Sequence, residues 1–390
     1  MTIAYMMRYW PICGGGETVT ATLANELIKR GHAVHILYTF RKDINPMPYL
    51  LDKRINEAMF NTIECSETNI AAIANYLMEQ KVEVMINQWA DYQLCYEVKK
   101  LLGIKLVTCW HMCLIDDHVR CQMPLTVKQK IYHKIMGESF YRKWWIRIHM
   151  NLHLKREKMC DLYVFLSDAY EREYVSLLGN RTVTTKLYSI PNPLTYNFDY
   201  NLCSYVNKKK EVLFVGRILE RHKRLSYVLR IWKEIEADVE LKDWSLRIVG
   251  DGDDMQTTQD FSRKLGLQRI SSEGFKDPRQ YYKQASIIMM TSAKEGFPMV
   301  LVESQQYAVV PIAMDSFSAL HDIIQDGENG IIISNNDIPG FVAGMKKLML
   351  NDNFRNRLAQ GGLKSCKRYN VDNVVDKWET LLNGLMALGS

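Results

Sequence analysis

Short apolar runs alternate with amphipathic stretches along the first half of the chain. The runs of strand length occupy residues 3–7, 33–38, 82–86 and 104–109. Between them, residues 18–30 carry apolar side chains at helical spacing and end before Gly31, and residues 70–80 follow a similar pattern. Strands separated by helices of this length indicate βαβ units, so the pattern predicts a parallel sheet.

The same alternation starts again in the second half. Strand-like runs occupy residues 212–216, 244–249 and 287–290, and the predicted helices are 225–236 and a stretch ending near Ala308. Between the halves, a Pro-Asn-Pro sequence precedes a polar stretch of weak signal. We therefore predict an α/β protein with two facing Rossmann-like domains, each on a parallel sheet, and a cleft between them. The N-terminal domain would span residues 1–195, and a linker would span 196–210.

Composition places this chain among ordinary soluble proteins. Its 390 residues are 47% apolar and 24% charged, with a net charge of +6, which excludes disordered and collagen-like chains. The nine cysteines are an odd number without a CxxC pair, which fits a reducing compartment. The first residues lack a signal-peptide pattern, and no run reaches the roughly 18 apolar residues of a membrane span. We therefore predict a cytoplasmic protein.

Ligands of open α/β sheets bind at the carboxyl ends of the strands, so the residues there carry the candidate chemistry. Glu295 and Glu303 flank a helix start after the strand at 287–290. Pro298 reads as the first helical residue, and the amides of Met299 and Val300 would then suit a phosphate. The two carboxylates could bind hydroxyl groups on either side. The alternative is a solvated helix whose Glu complements the helix dipole.

Basic residues follow the strand at 212–216. Arg217 comes directly after it, and Lys223 stands where the next helix is predicted to open. Guanidinium groups make paired contacts with phosphate oxygens, whereas a lysine acts as a mobile point charge. The two side chains could neutralise a diphosphate without a metal. A merely solvated basic cluster is the alternative, and it fits Arg221 and Arg224 best.

Three consecutive glycines, Gly14 to Gly16, follow the first strand and permit close approach of the backbone to a ligand. They do not form the dinucleotide-binding pattern GxGxxG, because Val19 occupies the place of its last glycine. The strand that follows also ends without an acidic residue for a ribose. A nicotinamide or flavin site is therefore weakly supported.

His111 follows the strand at 104–109 and could contact a sugar or phosphate, or act as a base. A lone histidine is more often structural, so that alternative stays open. Asp251 and Asp253, after the strand at 244–249, could hold a divalent cation. The glycines interleaved with them favour a tight turn instead, and we predict no metal site.

These motifs, taken in order, make the chain similar to the retaining GT-B glycosyltransferases of the glycosyl transferases group 1 family, which use nucleotide-sugar donors. The order and spacing of the motifs carry the resemblance over nearly the whole chain, and the E-x7-E signature is intact. The matching stretches are residues 14–17, 29–32, 190–193, 215–217, 249–252, 295–303 and 326–330.

The resemblance implies an N-terminal acceptor domain, a donor domain at residues 211–370, and a last helix, 371–390, that crosses back to the N-terminal domain. It implies no cofactor, only a nucleotide-diphosphate sugar as donor substrate. The catalytic residues would be His111, Glu295, Arg217 and Lys223. The donor-binding residues would be Gly15, Gly16, Gly216, Phe275, Phe297, Met299, Val300 and Glu303. One departure is that the family's lysine is commonly followed by glycine, whereas Arg224 follows Lys223 here.

The family resemblance also implies roles and substrates. Glu303 would bind the donor ribose, Glu295 the donor sugar, and the loop at Phe275 the base. We expect transfer of a hexose or N-acetylhexosamine, from a UDP-sugar before a GDP-sugar, to a glycan or lipid-linked acceptor in bacterial surface polysaccharide assembly. The alternatives are a sugar-nucleotide epimerase of similar fold and an inactive homologue that binds nucleotide sugars.

Residues 128–158 form a basic and aromatic segment. They include nine Lys or Arg residues against two Glu, with Phe140, Tyr141, Trp144 and Trp145 interleaved. Basic helices with aromatic residues can lie in a membrane interface, so we predict peripheral binding to an anionic surface, the inner face of the cell membrane. The alternative is a helix that covers the N-terminal domain. No nucleic-acid-binding module surrounds the segment, so we expect no nucleic-acid partner.

Overall fold

The computed structural model describes residues 1–12, 14–41, 49–60, 65–115, 125–179, 181, 186–196 and 208–387. The chain divides into two compact units. The first comprises Met1–Leu114, Trp145–Thr195 and Tyr369–Ser390, and the second comprises Ile115–Trp144 and Tyr196–Arg368. Sequence reasoning placed residues 115–144 in the N-terminal domain, because periodicity indicates helices but not the unit against which they pack.

Seven parallel strands form the sheet of the first unit. They are β1 (Thr2–Met6), β2 (Ala33–Tyr38), β3 (Asn56–Met59), β4 (Val84–Asn87), β5 (Lys105–Trp110), β6 (Leu162–Phe165) and β7 (Lys186–Ser189). Their order across the sheet is β3-β2-β1-β4-β5-β6-β7. The chain therefore reverses its direction of travel between β1 and β4, and such switch points are where open α/β sheets bind ligands.

The described residues up to 178 form six α-helices. They are α1 (Gly15–Lys29), α2 (Glu67–Glu79), α3 (Tyr92–Leu102), α4 (Val127–Met136), α5 (Glu138–Glu157) and α6 (Asp168–Leu178). The division between the two units falls within α5. Within the described ranges, none of the helices combines the length and the apolar composition that a bilayer crossing would require.

The second unit is built on six parallel strands. They are β8 (Lys209–Val215), β9 (Ser245–Val249), β10 (Ile270–Ser272), β11 (Ala285–Met290), β12 (Val310–Asp315) and β13 (Ile331–Ser334). The order β10-β9-β8-β11-β12-β13 repeats the arrangement of the first sheet, with its switch point between β8 and β11. The prediction of an α/β fold with two parallel sheets is confirmed.

From residue 208 onward, the described part of the chain forms eight α-helices that accompany this sheet and a ninth that belongs to the first unit. They are α7 (Glu220–Lys223), α8 (Leu225–Glu236), α9 (Met255–Leu265), α10 (Arg279–Tyr282), α11 (Met299–Gln306), α12 (Leu320–Ile323), α13 (Ile338–Leu350), α14 (Asp352–Ser365) and α15 (Val371–Ala387). Helix α8 buries Leu225, Val228 and Trp232, whose spacing gives one apolar face against the core. Helix α15 packs on α1, where Glu379 accepts hydrogen bonds from Arg30 at 2.7 Å and pairs with His32 at 2.8 Å.

Several element boundaries differ from the sequence prediction. Helix α1 begins at Gly15 rather than at residue 18, since glycines can form a first helical turn. Pro298 lies just outside α11, because its ψ of 99° is extended. Lys223 ends α7 instead of opening α8. Of the predicted linker 196–210, residues 197–207 lie outside the described residues, and the last two begin β8.

Candidate active site

Two glycine-containing loops pack backbone against backbone at the carboxyl ends of β8 and β9. Gly250 has a φ of +144°, and a Cβ there would lie 1.9 Å from the carbonyl oxygen of Gly216. A Cβ on Gly252 would lie 2.4 Å from the carbonyl oxygen of Ile218, whose amide donates to the carbonyl of Asp251 at 2.8 Å. Only glycine permits this approach. The 250–252 segment is therefore a turn that shapes the loop after β8, as its glycines favoured.

Lys223 and Glu295 meet at the β8/β11 switch point. The Nζ of Lys223 lies 2.5 Å from Oε1 of Glu295, and both side chains are largely buried. Two hydrogen bonds fasten the loop after β11 to the end of α7. The hydroxyl of Thr291 donates to the carbonyl of Lys223 at 2.8 Å, and the amide of Ala293 donates to the carbonyl of His222 at 2.7 Å. The backbone therefore presents the ammonium group to the carboxylate.

Arg217 lies on the loop that follows β8. It directly follows Gly216 at the end of β8, and its side chain is exposed. Gly216 adopts a φ of +152°, and a Cβ there would lie 3.5 Å from Cε of Lys223. Two cations therefore follow β8 closely in the chain, Arg217 in the loop and Lys223 at the end of α7. The arrangement is suited to an anion that contacts both cations.

The start of α11 offers backbone groups to this region. The first helical hydrogen bond runs from the amide of Leu301 to the carbonyl of Pro298 at 3.1 Å, so the amides of Met299 and Val300 precede it. The side chains of Phe297 and Met299 are buried. Because these side chains are buried, Phe297 and Met299 can contact a ligand only through their backbone groups. This agrees with the sequence prediction that backbone groups here bind the donor.

Glu303 is buried within α11 and is oriented by a tyrosine. The hydroxyl of Tyr282 donates to Oε2 of Glu303 at 3.1 Å. Burial, together with the nearby Glu303 carboxylate, raises the pKa of Tyr282 above its usual value, so the hydroxyl stays protonated and remains a donor. Sequence reasoning missed Tyr282, since a tyrosine in a short helix before a strand carries no pattern of its own.

Phe275 is 70% exposed on the loop after β10. The preceding residue, Gly274, has a φ of +72°, and its carbonyl accepts a hydrogen bond from the amide of Gly250 at 2.8 Å. The phenyl ring therefore stands on a loop that is attached to the glycine turn already described. An exposed aromatic ring in this place is suited to stacking on a planar group.

The first unit has its own cluster, at the β1/β4 switch point. Gly15 and Gly16 form the first turn of α1, and a Cβ on Gly16 would lie 1.9 Å from the ring of Trp89. That ring stacks on His111, with centroids 4.1 Å apart and planes inclined by 28°. Nε2 of His111 is hydrogen-bonded to Oε1 of Gln88, which follows β4. Close packing of the indole therefore requires glycine at position 16.

His111 is neutral at physiological pH. Burial lowers its pKa to about 3, because the protonated ring would lose its hydration. The amide oxygen of Gln88 can only accept, so Nε2 carries the ring proton and Nδ1 is left as an acceptor. This histidine can therefore accept a hydrogen bond from a hydroxyl group, and it does not act as a fixed cation.

The predicted site residues thus fall into two groups. Lys223 and Glu295 come together in the second unit, with Arg217 on the loop after β8, and Gly16 and His111 each pack against Trp89 in the first. Sequence reasoning missed Gln88 and Trp89, although both directly follow β4, where a ligand-facing residue is expected. The signal was lost because the predicted strand ended one residue too early.

Comparison with known families gives a match for each half of the chain. Residues 13–195 match the family described as Glycosyltransferase Family 4, and residues 205–365 match the family described as Glycosyl transferases group 1. Together the two ranges take in most of the residues and include His111, Lys223 and Glu303.

Two curated relatives and one solved structure resemble the chain. The amylovoran biosynthesis glycosyltransferase AmsD of Erwinia amylovora is 31% identical over 46% of this chain and 50% of its own, so the match spans half the relative's length. A second relative, from Campylobacter jejuni, is 23% identical over 95% of both chains. Its full name is GalNAc-alpha-(1->4)-GalNAc-alpha-(1->3)-diNAcBac-PP-undecaprenol alpha-1,4-N-acetyl-D-galactosaminyltransferase. The Anabaena protein Alr3699/HepE in complex with UDP has a TM-score of 0.71 at 15% identity, covering 98% of this chain and 100% of that one. Likeness of this extent confirms the predicted GT-B fold.

Proposed function

The chain belongs to the Glycosyl transferases group 1 family, and we propose that it transfers a hexose or N-acetylhexosamine from a nucleotide-diphosphate sugar to a glycan or lipid-linked acceptor in bacterial surface polysaccharide assembly. A UDP-sugar is the favoured donor. The observation that carries this proposal is the Lys223–Glu295 pair at the β8/β11 switch point, with Arg217 exposed on the loop after β8. The names of the relatives support the substrate class.

In the proposed reaction, the diphosphate of the donor is the leaving group. Arg217 and Lys223 would contact its oxygens, and the amides of Met299 and Val300 would add donors from the start of α11. Groups that are already positioned stabilise the negative charge that develops as the anomeric bond breaks, without the cost of reorganising water. We propose that this set of groups makes a metal ion unnecessary.

We propose that transfer retains the anomeric configuration. The bond from the anomeric carbon to the phosphate oxygen breaks, and the acceptor oxygen forms its bond on the same face. The acceptor proton passes to the departing phosphate. No residue of the described site is assigned as a covalent nucleophile, because Glu295 is already paired with Lys223.

Recognition of the donor would fall to the remaining residues. Glu303, held by Tyr282, would accept hydrogen bonds from the ribose hydroxyls. Glu295 would accept from hydroxyls of the transferred sugar, and Phe275 would lie against the base. In the first unit, His111 offers an uncharged acceptor to a sugar hydroxyl, which is the role that the family resemblance implies.

A thermal-shift screen across nucleotides and nucleotide sugars tests the proposal. A ligand that binds only the folded chain raises its melting temperature, so we expect UDP and one UDP-sugar to produce the largest rise. The absence of a rise with any nucleotide would contradict the proposal. Incubation with the donor alone identifies an epimerase, since an epimerase converts the sugar without an acceptor. Binding without turnover across a panel of acceptors would indicate an inactive homologue.

We also propose that the chain works at the cytoplasmic leaflet of the cell membrane. The basic segment at residues 128–158 would face anionic lipid there. A lipid-linked acceptor presents its sugar at such a surface, and the name of the Campylobacter relative contains an undecaprenol.

A further inference from the structure

Helix α4 carries an apolar stripe that faces water. Val127, Ile131 and Ile135 are 75%, 52% and 76% exposed, and their spacing of four residues places them along one side of the helix. No residue of α4 is buried. Exposed single apolar residues are common on protein surfaces, but a continuous stripe of branched side chains marks a contact surface.

The sequence around α4 specifies a well-formed helix. Thr126 and Gln129 form a capping box at its start, in which the amide of Thr126 donates to the Gln129 side chain at 2.8 Å. Gly137 ends the helix with a φ of +73°. On the side away from the stripe, the ring of His133 packs against Tyr141 of α5, with centroids 5.3 Å apart. The packing on α5 leaves the stripe facing outward.

Lysines border the stripe on both sides. At 100° per residue, Lys128 lies beside one edge of the stripe, and Lys130 and Lys134 lie beside the other. All three are exposed, and α4 contains no acidic residue. An apolar stripe between lysines is typical of helices that lie in the interface of an anionic membrane, with the ammonium groups at the level of the headgroups.

The aromatic residues of α5 do not form this surface. Sequence reasoning assigned Tyr141, Trp144 and Trp145 to the membrane interface, but Tyr141 is buried and the two tryptophans are half-buried. The ring of Trp144 contacts Tyr132 of α4, with centroids 5.5 Å apart. The rings of Tyr141 and Trp144 are therefore largely used in packing the helix pair, and of the four aromatic residues between 140 and 145 only Phe140 is exposed.

We propose that the stripe of α4 inserts into the interface of an anionic bilayer, with Val127, Ile131 and Ile135 among the acyl chains and the lysines at the lipid phosphates. This inference rests on the membrane partner of the proposed function and names the element that makes contact. A nucleic acid would satisfy the lysines but leave the apolar stripe in water. A second copy of the chain would bring like-charged lysines together.

Co-sedimentation of the full chain with lipid vesicles tests the inference. We expect binding to vesicles that contain phosphatidylglycerol and much weaker binding to pure phosphatidylcholine. Ile135→Glu should weaken binding at least about tenfold, because a carboxylate would enter the apolar layer of an anionic surface. The matched control is Val239→Glu, which places the same charge on a residue that is 82% exposed elsewhere in the second unit. It should bind nearly as the wild-type chain does.

A second variant measures the electrostatic part. Replacing Lys128, Lys130 and Lys134 by Gln should lower binding by about fivefold per lysine at low salt. Equal binding of the wild-type chain to both vesicle types would overturn the inference, as would equal binding by Ile135→Glu and Val239→Glu. Dissociation of a dimer by Ile135→Glu, seen by size-exclusion chromatography, would also overturn it, because a second copy would then cover the stripe.

The two proposals can fail separately. The thermal shift of the wild-type chain with UDP reports donor binding without any membrane. A wild-type chain that responds to UDP but binds no vesicles contradicts only the membrane inference. A chain that binds anionic vesicles through α4 but responds to no nucleotide contradicts the proposed transferase activity.

Discussion

The two sheets share a strand arrangement and differ in the chemistry at their switch points. In the first unit, the segments after β1, β4 and β5 bring together Gly16, Trp89 and His111, which present a glycine, an indole and a neutral imidazole. In the second, β8 and β11 lead to Arg217 and the Lys223–Glu295 pair. The topology supplies a place for a ligand in both units. A few residues directly after the strands decide that the first is suited to hydroxyl groups and the second to an anion.

The largest expected effect comes from removing charge at the second switch point. Lys223→Ala removes a positioned ammonium group, so turnover of the nucleotide-sugar donor should fall at least about tenfold, or about 1.4 kcal/mol in the transition state. Steady-state kinetics with the identified donor measures this. Arg221→Ala is the matched control, since Arg221 is an exposed cation on the same short helix. Equal losses of turnover in the two variants would show that any positive charge on this helix has the same effect and that the position of Lys223 has no special role.

At the first switch point, the expected effect is steric. Gly16→Ala would push the ring of Trp89 away, because the added Cβ would lie 1.9 Å from it, and His111 would lose its stacking partner. We expect activity to fall by roughly tenfold and the melting temperature to fall as well. Gly15→Ala has open space around its Cβ and should raise stability by up to about 1 kcal/mol. Equal thermal stabilities of the two variants would contradict the packing described.

A smaller effect is expected from the tyrosine that holds Glu303. Tyr282→Phe removes one hydrogen bond to a buried carboxylate, so KM for the donor should rise about fivefold while kcat changes little. The neighbouring residue provides a matched control, because the hydroxyl of Tyr281 donates to Glu273 at the same distance of 3.1 Å, away from the proposed ribose contact. Tyr281→Phe should leave KM unchanged. A fall in kcat alone for Tyr282→Phe would argue against a role in donor binding.

The contrast between the switch points also shows what sequence reasoning can reach. Gly250 and Gly252 were expected to form a tight turn, because glycines at the end of a strand allow a sharp turn and a close approach of the backbone. The structure shows that turn. The pairing of Lys223 with Glu295 spans 72 residues, so no local pattern predicted it. Trp89 was missed for a related reason, because its ring packs on Gly16, which is distant from it in the chain. Local chemistry is visible in the chain, but contacts between distant loops come from tertiary packing.

The smallest expected effect concerns Arg224, the residue that departs from the family's lysine–glycine pair. It adopts a φ of +52°, which glycine takes freely and other residues take at a cost of about 1 kcal/mol. Its side chain is buried and donates to Oδ1 of Asn335 at 2.8 Å, a contact that helps to maintain the turn. The backbone shape expected of a glycine is therefore kept, and Lys223 is presented at the end of α7.

Comparing glycine and alanine at this position separates the backbone from the side chain. Both substitutions lose the contact with Asn335. Alanine is strained by the positive φ at this position, whereas glycine adopts it freely. The Arg224→Gly variant should therefore be more stable than Arg224→Ala by about 1 kcal/mol in denaturant unfolding. At Arg221, inside the same short helix, the order should reverse, since glycine is the weaker helix former there. If alanine were the better residue at both positions, the left-handed turn would not be what places Lys223 against Glu295.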